Sequence, residues 1–417
     1  MAGERADEGP ERHGLRRRAV LPALAALLLP AAACTAPAPA PAAGTATDAI
    51  RRLLDRRAAA VLDRDEAACL AVLDPRADAL RATVRAEFAN LAELPLRSWS
   101  YHLTDVRRTG ARATVRAELR YRITGYDTAP VATPRALTLA ERDGRWYVTG
   151  DKAGAGGAEQ LWQQGRVRAV TGARSLVLGV GQDERLLRRI AATADRAVPA
   201  VDGAWPDSWA RRVVLLVPAS RRAMAALLGA AEDGYRSIAA VTTGETGGTG
   251  ATPADRIIVN PDAYGELSDL GQGVVLTHET THVATRAATT PATPTWLSEG
   301  FADHVAYRST GLTAARIAPE LRRAVRRDEA PAALPPDTDF AFSGDADRLA
   351  RAYESGWLAC ELIADRWDER TLTAFYRTVG AHPGRAGAVA RAARDVLGTT
   401  EAEFTARWRD YVRKRLA

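Results

Sequence analysis

Lysine is almost absent from this chain of 417 residues. Lys152 and Lys414 are the only two, so arginine supplies nearly all of the positive charge, and the net charge is only +6. No stretch dense in Lys and Arg with interleaved aromatic residues occurs. Such stretches are typical of nucleic-acid-binding surfaces. The composition therefore argues against a nucleic-acid partner.

Cysteine is scarce as well, with Cys34, Cys69 and Cys360 as its three occurrences. Cys69 and Cys360 stand among apolar residues in different predicted domains. This placement is typical of small core residues and does not predict a disulfide between them.

The N-terminus has an apolar run that is too short to span a bilayer. Residues 19–33 are apolar, and three arginines at 16–18 precede them. A membrane-spanning helix needs about 20 apolar residues, whereas a positive region followed by a shorter apolar region is typical of an export signal. We therefore predict that residues 1–34 are a signal peptide and that the mature protein is exported.

The end of this signal resembles that of a bacterial lipoprotein. Ala31-Ala32-Ala33 leads directly into Cys34, although such signals usually carry leucine where Ala31 stands. The resemblance implies that Cys34 is lipidated and holds the protein at the outer face of the cell membrane. The alternative is cleavage near Ala33 and simple secretion. Residues 35–47, rich in Pro and Ala, are predicted to be a linker.

Residues 48–152 predict a small α+β domain. Apolar residues first recur at helical spacing, from Ile50 to Val61. The period then changes to two, and residues 115–124 alternate strictly between apolar and polar, as in an antiparallel strand with one buried face. Asp143-Gly144 predicts a hairpin turn. This order, closing on the sequence RWYVTGD, resembles the nuclear transport factor 2-like family, which implies a cone-shaped fold.

Residues 160–417 predict a second domain. Strands are expected at 175–180 and 213–217, each followed by a helical segment, and further strands at 238–243 and 257–260. From about residue 270 onward the pattern is helical, with a loop at 328–347. The expected fold class of the whole chain is α+β.

The stretch HETTH, residues 278–282, predicts a metal site. Two histidines four residues apart lie on one face of a helix, where both ring nitrogens can bind one Zn²⁺. Glu279 between them is a candidate general base for a water molecule. The alternative is a polar helix with one buried and one exposed histidine.

A third ligand follows in the segment WLSEGFAD, residues 296–303. Catalytic zinc commonly has three protein ligands and one open position, and Glu299 lies on the next predicted helix. The two segments together resemble the gluzincin metallopeptidases, and their residues are similar to those of the aminopeptidase N family. The resemblance implies a mixed sheet with a helical subdomain, zinc bound by His278, His282 and Glu299, and Glu279 as the base.

The same resemblance assigns two further residues. Asp303, four residues after Glu299, matches an aspartate that orients a zinc-binding histidine, here His278; the alternative is a helix-surface residue. Tyr353 lies in the segment YESG and matches a tyrosine that donates to the oxyanion; the alternative is a core aromatic beside Trp357.

The sequence departs from the aminopeptidases in one respect. Nothing between 243 and 260 resembles their strand motif that binds the free amine of the substrate. We therefore expect an endopeptidase that cleaves a peptide or protein substrate. Two alternatives stay open: a non-catalytic domain stabilised by zinc, and an exported lipoprotein that binds a small ligand.

Overall fold

The N-terminal part of the fold consists of three helices followed by an antiparallel sheet. The computed structural model describes residues 43–236, 238–243, 255–341 and 345–417. The helices are α1 (Ala43–Leu62), α2 (Glu66–Ala71) and α3 (Asp78–Leu91). The strands are β1 (Leu96–Thr109), β2 (Arg112–Ile123), β3 (Val131–Arg142) and β4 (Arg145–Ala153). They pair in sequence order, each antiparallel to the next.

The predicted turn and the predicted strand alternation are both present in this sheet. Along β2 the inward side chains are buried and their neighbours face outward. Asp143 and Gly144 have φ angles of 49° and 72°, as the two central residues of a type I′ hairpin turn require. The shift in register between Leu103 and Asp105 of β1 marks an irregularity, and such bulges increase the twist of a strand.

Helix α1 begins earlier than the sequence analysis predicts. Residues 43–47 fall within the predicted linker but are helical. Pro41 is the last proline of that segment, so no ring blocks helical hydrogen bonding after it. The helix then buries Ile50 and Leu54 in the core that it shares with the sheet.

The predicted signal peptide, Cys34 and linker residues 35–42 lie outside the described residues. Among the helices that the structure describes, none is long and apolar enough to cross a membrane.

The second part of the chain contains a five-stranded mixed sheet. Its strands are β5 (Val167–Thr171), β6 (Ser175–Val180), β7 (Val213–Val217), β8 (Ala240–Thr242) and β9 (Ile257–Val259). The spatial order is β5-β6-β7-β9-β8, with β6, β7 and β9 parallel and the two outer strands antiparallel. Strand β8 is therefore an edge strand of the sheet as far as the structure describes it.

Helices surround this sheet and form the rest of the chain. The helices are α4 (Leu161–Gln164), α5 (Glu184–Asp202), α6 (Arg221–Leu228), α7 (Pro261–Gly265), α8 (Asp269–Thr285), α9 (Thr295–Tyr307), α10 (Ala314–Ile317), α11 (Pro319–Arg326), α12 (Ala346–Trp367), α13 (Glu369–Gly380), α14 (Ala388–Leu397) and α15 (Glu401–Leu416). One antiparallel sheet, one mixed sheet and many helices confirm the predicted α+β class.

The C-terminal helices enclose a core of their own. Phe301 of α9, Trp357 of α12, Phe375 of α13 and Trp408 of α15 are almost completely buried in it. Cys360 lies in this core, whereas Cys69 is buried in the N-terminal one, and both are free cysteines. The expectation that they are separate core residues is confirmed.

The two sheets share a core at the segment that connects them. Trp162 follows the first sheet in the chain and packs edge-on against Trp99 and Tyr121, with ring centroids 5.6 Å and 5.2 Å away. Val167 and Leu178 of the second sheet belong to the same core. The division at residues 152–160 stays a prediction, but the apolar core is continuous across it.

A buried ion pair also joins the two parts. The Arg256 guanidinium donates to Asp127 with N–O distances of 2.8 Å and 2.7 Å, and both residues are about 5% exposed. Asp127 accepts a further hydrogen bond from the main-chain N–H of Ile123. Removing one partner of a buried pair costs about 3–5 kcal/mol because the other charge stays buried. The start of β9 is therefore firmly attached to the first sheet.

Candidate metal centre

Helix α8 presents the histidines of HETTH on one face. The helix begins after Ser268, whose hydroxyl accepts from the N–H of Gly271, with Asp269 in the first turn. Both features favour a helix start at this point. The helix continues to Thr285, so His278 and His282 lie one turn apart, with ring centroids 4.7 Å apart.

Helix α9 brings Glu299 to the same point. The Nε2 atoms of His278 and His282 are 2.9 Å apart, and Glu299 Oε2 lies 3.2 Å and 3.5 Å from them. Three ligands of a tetrahedral zinc ion, each about 2.1 Å from the metal, stand roughly 3.3 Å apart. The three donors therefore fit the ligand triangle of one zinc ion.

The electrostatics of this triangle also favour a cation. Burial by itself would raise the pKa of the Glu299 carboxyl, but His282 and His278 hold it well below its usual range. Two imidazole nitrogens and a carboxylate oxygen face each other at hydrogen-bond distance, and all three side chains are largely buried. Converging lone pairs repel each other unless a proton or a metal ion lies between them.

Asp303 lies within hydrogen-bond distance of His278. Its Oδ1 lies 2.8 Å from Nδ1 of His278, so Nδ1 donates to Asp303 and Nε2 faces Glu299 and His282. Burial would lower the pKa of His278, but Asp303 and Glu299 together raise it well above its ordinary value. Carboxylates commonly hold metal-binding histidines in this way. Asp303 therefore contacts the ring of His278, and its orienting role stays a prediction.

Glu279 lies next to the histidines and is 5% exposed. Its Oε2 accepts a hydrogen bond of 2.7 Å from the hydroxyl of Thr242, the last residue of β8. The side chain of Glu279 thus extends from α8 to the edge strand β8. It does not point to bulk solvent.

Tyr353 of α12 faces the same site. Its ring lies 6.4 Å from the ring of His278 and 5.2 Å from that of Phe340. Tyr353 also packs against the C-terminal core that contains Trp357. The structure therefore brings Tyr353 together with the zinc-ligand candidates, and it is half-buried.

Two glycines allow α9 and α12 to approach this closely. A Cβ atom on Gly300 would overlap the carbonyl group of Gly356, and one on Gly356 would lie 2.5 Å from the carbonyl oxygen of Trp296. Both distances are far inside van der Waals contact. The backbones therefore touch where Glu299 precedes Gly300, which sets the separation of Glu299 from Tyr353.

His304 is a buried residue that pairs with two carboxylates. It is 3% exposed, and its Nδ1 lies 2.6 Å from Glu361 while its Nε2 lies 3.0 Å from Glu369. Because each ring nitrogen faces a carboxylate, the side chain is a doubly paired imidazolium that joins α9, α12 and α13. It does not converge on His278 and His282.

This arrangement predicts a loss of stability at high pH. Burial lowers the pKa of His304, but the hydrogen bonds to Glu361 and Glu369 raise it to about 9. A folded pKa above the unfolded one stabilises the fold fully below the unfolded value near 6.5, and this contribution is lost as pH rises through about 9. By linkage it amounts to about 3 kcal/mol. Urea unfolding between pH 6 and pH 10 measures it.

The control is His304→Gln, which removes the titrating group. We expect this variant to be less stable than the wild type at pH 6, with the difference shrinking toward pH 10. Parallel stability curves for the two proteins would contradict the assignment.

Sequence reasoning missed two residues that support the site. Thr242 contacts Glu279 although the two are 37 positions apart. Glu354 accepts from the N–H groups of Glu320 and Leu321 and so attaches the helix of Tyr353 to the start of α11. Burial raises the pKa of Glu354 to about 7. Only the position of Glu354 beside Tyr353 offered a signal.

No protein-family model and no curated protein matches the chain. Among solved structures, similar chains include M1 zinc metallopeptidases. The enzyme from Deinococcus radiodurans is 16% identical, covering 76% of this chain and 60% of its own, with a TM-score of 0.34. A two-domain M1 zinc metallopeptidase mutant bound to L-arginine is 15% identical over 73% of this chain and 62% of its own, with a TM-score of 0.35.

The chain therefore spans about 60% of the length of these metallopeptidases. A variant of the protein Rd1NTF2_05 matches 26% of this chain and 99% of its own, at 14% identity and a TM-score of 0.22. At these levels of similarity the function rests on the geometry of the site.

Proposed function

We propose that the chain is a zinc-dependent peptidase. The observation that carries this proposal is the convergence of His278, His282 and Glu299 beside the buried carboxylate of Glu279. Structural zinc sites are closed by four protein ligands, whereas catalytic sites combine three with an open position. A buried carboxylate next to three ligands favours the catalytic type, because binding zinc does not require it.

Glu279 acts as the general base and then as the general acid. A zinc ion on the three ligands supplies Lewis-acid activation of water and of the peptide carbonyl. Glu279 takes a proton from the attacking water while the oxygen of that water bonds to the carbonyl carbon of the peptide. It returns that proton to the leaving nitrogen as the C–N bond breaks, so the carboxylate is regenerated. Such proton transfer contributes about 10²–10⁴ in rate.

Tyr353 stabilises the negative charge on the former carbonyl oxygen. Its ring lies 6.4 Å from the ring of His278, and its hydroxyl is a donor. A positioned donor that meets the oxyanion is worth about 10²–10³ in kcat. Asp303 keeps His278 in the tautomer that binds metal.

The substrate is a peptide or protein that binds in extended form. Strand β8 lies at the described edge of the sheet and ends beside Glu279, so a peptide that pairs with β8 would run past the base. The sequence lacks the amine-binding strand motif of the aminopeptidases, which supports endopeptidase specificity. The signal at 1–34 supports export, with lipidated Cys34 as the anchor.

Metal removal tests the proposal. Purified protein is expected to contain equimolar zinc and to cleave members of a peptide library. A chelator should abolish cleavage, and added Zn²⁺ should restore it. Cleavage of peptides with blocked N-termini would identify an endopeptidase.

His282→Ala and His102→Ala form a matched pair for this experiment. His102 is an exposed histidine on β1, so its loss should leave zinc content and cleavage unchanged. His282→Ala should lose both, because two ligands hold zinc far more weakly than three. Zinc without any cleavage would favour the zinc-stabilised alternative, and a wild type without zinc would refute both.

A further inference from the structure

The hydroxyl of Thr242 faces two oxygen atoms of Glu279. Its Oγ1 lies 2.7 Å from the carboxylate Oε2 and 3.1 Å from the main-chain carbonyl oxygen. Thr242 is completely buried, so water does not compete for either contact. One hydroxyl carries one proton, and it can therefore donate to only one of these acceptors at a time.

We propose that Thr242 is a positioning residue for the base, an inference that rests on the proposed peptidase function. The hydrogen bond to Oε2 fixes the rotation of the Glu279 carboxylate, so that its other oxygen faces the water. Hydrogen bonds to charged groups in buried sites are among the stronger ones. The Thr242 hydroxyl itself contacts neither the water nor the scissile bond of the peptide.

The two acceptors let Thr242 follow the proton. While Glu279 is ionised, the hydroxyl donates to Oε2. Once Glu279 has taken the proton of the water, the Thr242 hydroxyl can rotate and donate to the main-chain carbonyl oxygen of Glu279. It then no longer donates to the carboxyl group. No proton is transferred through Thr242 in either state. A main-chain N–H could not do this, because it cannot turn.

The end of β8 is anchored well enough for this role. Thr243 and Arg256 exchange main-chain and hydroxyl hydrogen bonds of 2.8 Å. Arg286, at the end of α8, donates to the carbonyl oxygen of Thr243 at 3.0 Å. Strand β8 is thus attached to helix α8 next to Thr242, so the distance from Thr242 to Glu279 is set by the fold.

Two substitutions at Thr242 separate positioning from packing. Thr242→Val keeps the shape but removes the donor, and we expect kcat to fall about 10- to 100-fold while KM changes less than about threefold. Thr242→Ser keeps the donor and should restore kcat to within about threefold of the wild type. Zinc content should stay equimolar in both.

Thr285→Val is the matched control on α8. Thr285 is also buried, but its hydroxyl donates to the main-chain carbonyl of Thr281. Its loss should lower Tm without lowering kcat. If Thr242→Val retains wild-type kcat, or if Thr285→Val reduces kcat equally, Thr242 has only a structural role.

Crystal structures of the zinc-loaded proteins give a readout that does not depend on activity. The Glu279 carboxylate should keep one orientation in the wild type and in Thr242→Ser, and rotate or become disordered in Thr242→Val. This outcome would support the positioning role even if the wild type cleaved no peptide, which would refute only the proposed function. An unmoved carboxylate in Thr242→Val would overturn the inference.

Discussion

Glu279→Gln is expected to reduce kcat for peptide cleavage by at least about 10²-fold while zinc stays equimolar. Glutamine has nearly the same shape, and its amide oxygen can still accept from Thr242, but it cannot take a proton from water. Glu279 is not among the three donors that converge on one point, which are His278, His282 and Glu299. The variant therefore removes the proton acceptor and leaves the three converging donors in place.

The measurement is kcat and KM on a fluorogenic peptide, with zinc determined by mass spectrometry on the same preparation. Glu266→Gln is the matched control, because Glu266 is an exposed carboxylate shortly before α8 and its loss should change neither value. A Glu279→Gln protein that keeps more than about a tenth of wild-type kcat would show that another group is the base.

Local patterns in the sequence predicted the elements that carry the site. The strands expected at 175–180 and 213–217 have those bounds in the structure. A run of apolar residues of this length between turn signals predicts a strand from the local sequence alone, without any knowledge of the neighbouring strands. The same holds for the two histidines of HETTH, because one helical turn fixes their spacing.

Such local patterns do not predict contacts that depend on the order of strands in a sheet or on the way helices cross. Strand β9 inserts between β7 and β8, and this alone makes β8 an edge strand. In this arrangement Thr242 lies beside Glu279. Helix α3 is a different case. Val84, Phe88 and Leu91 are buried at helical spacing, a local signal that the sequence analysis did not use.

Asp303 shows the boundary between what a local sequence pattern predicts and what tertiary packing determines. Its spacing from Glu299 suggested an orienting role, but a helix-surface residue has the same spacing. The sequence does not contain the angle at which α9 meets α8, and it is this angle that places the carboxylate 2.8 Å from His278 Nδ1. That angle in turn depends on tertiary packing between side chains far apart in the chain.

The crossing of α9 and α12 leads to the second large expected effect. Gly356→Ala would place a methyl group 2.5 Å from the carbonyl oxygen of Trp296, and Gly300→Ala would overlap the backbone of Gly356. Neither neighbour is a flexible side chain that can move away. We expect each variant to lose about 3 kcal/mol or more of unfolding free energy, since overpacking of this kind forces backbones apart.

Activity should fall further than stability alone explains. Separating the two helices by even 1 Å moves Glu299 and Tyr353 relative to each other, and misplacement on that scale can cost about 10²-fold in rate. Urea unfolding, zinc affinity and kcat should be measured on the same samples, at a temperature where the variants remain folded. A folded Gly356→Ala protein with unchanged zinc affinity and kcat would contradict this view of the crossing.

Gly273→Ala is the control that separates close approach from glycine content. Gly273 lies inside α8, and a Cβ atom there would meet nothing within 4 Å. Because alanine is the better helix former, this variant should be as stable as the wild type or more stable by up to about 1 kcal/mol. Opposite signs of the stability change at Gly273 and Gly356 would show that the cost arises from backbone contact between α9 and α12, the contact that sets the distance between Glu299 and Tyr353.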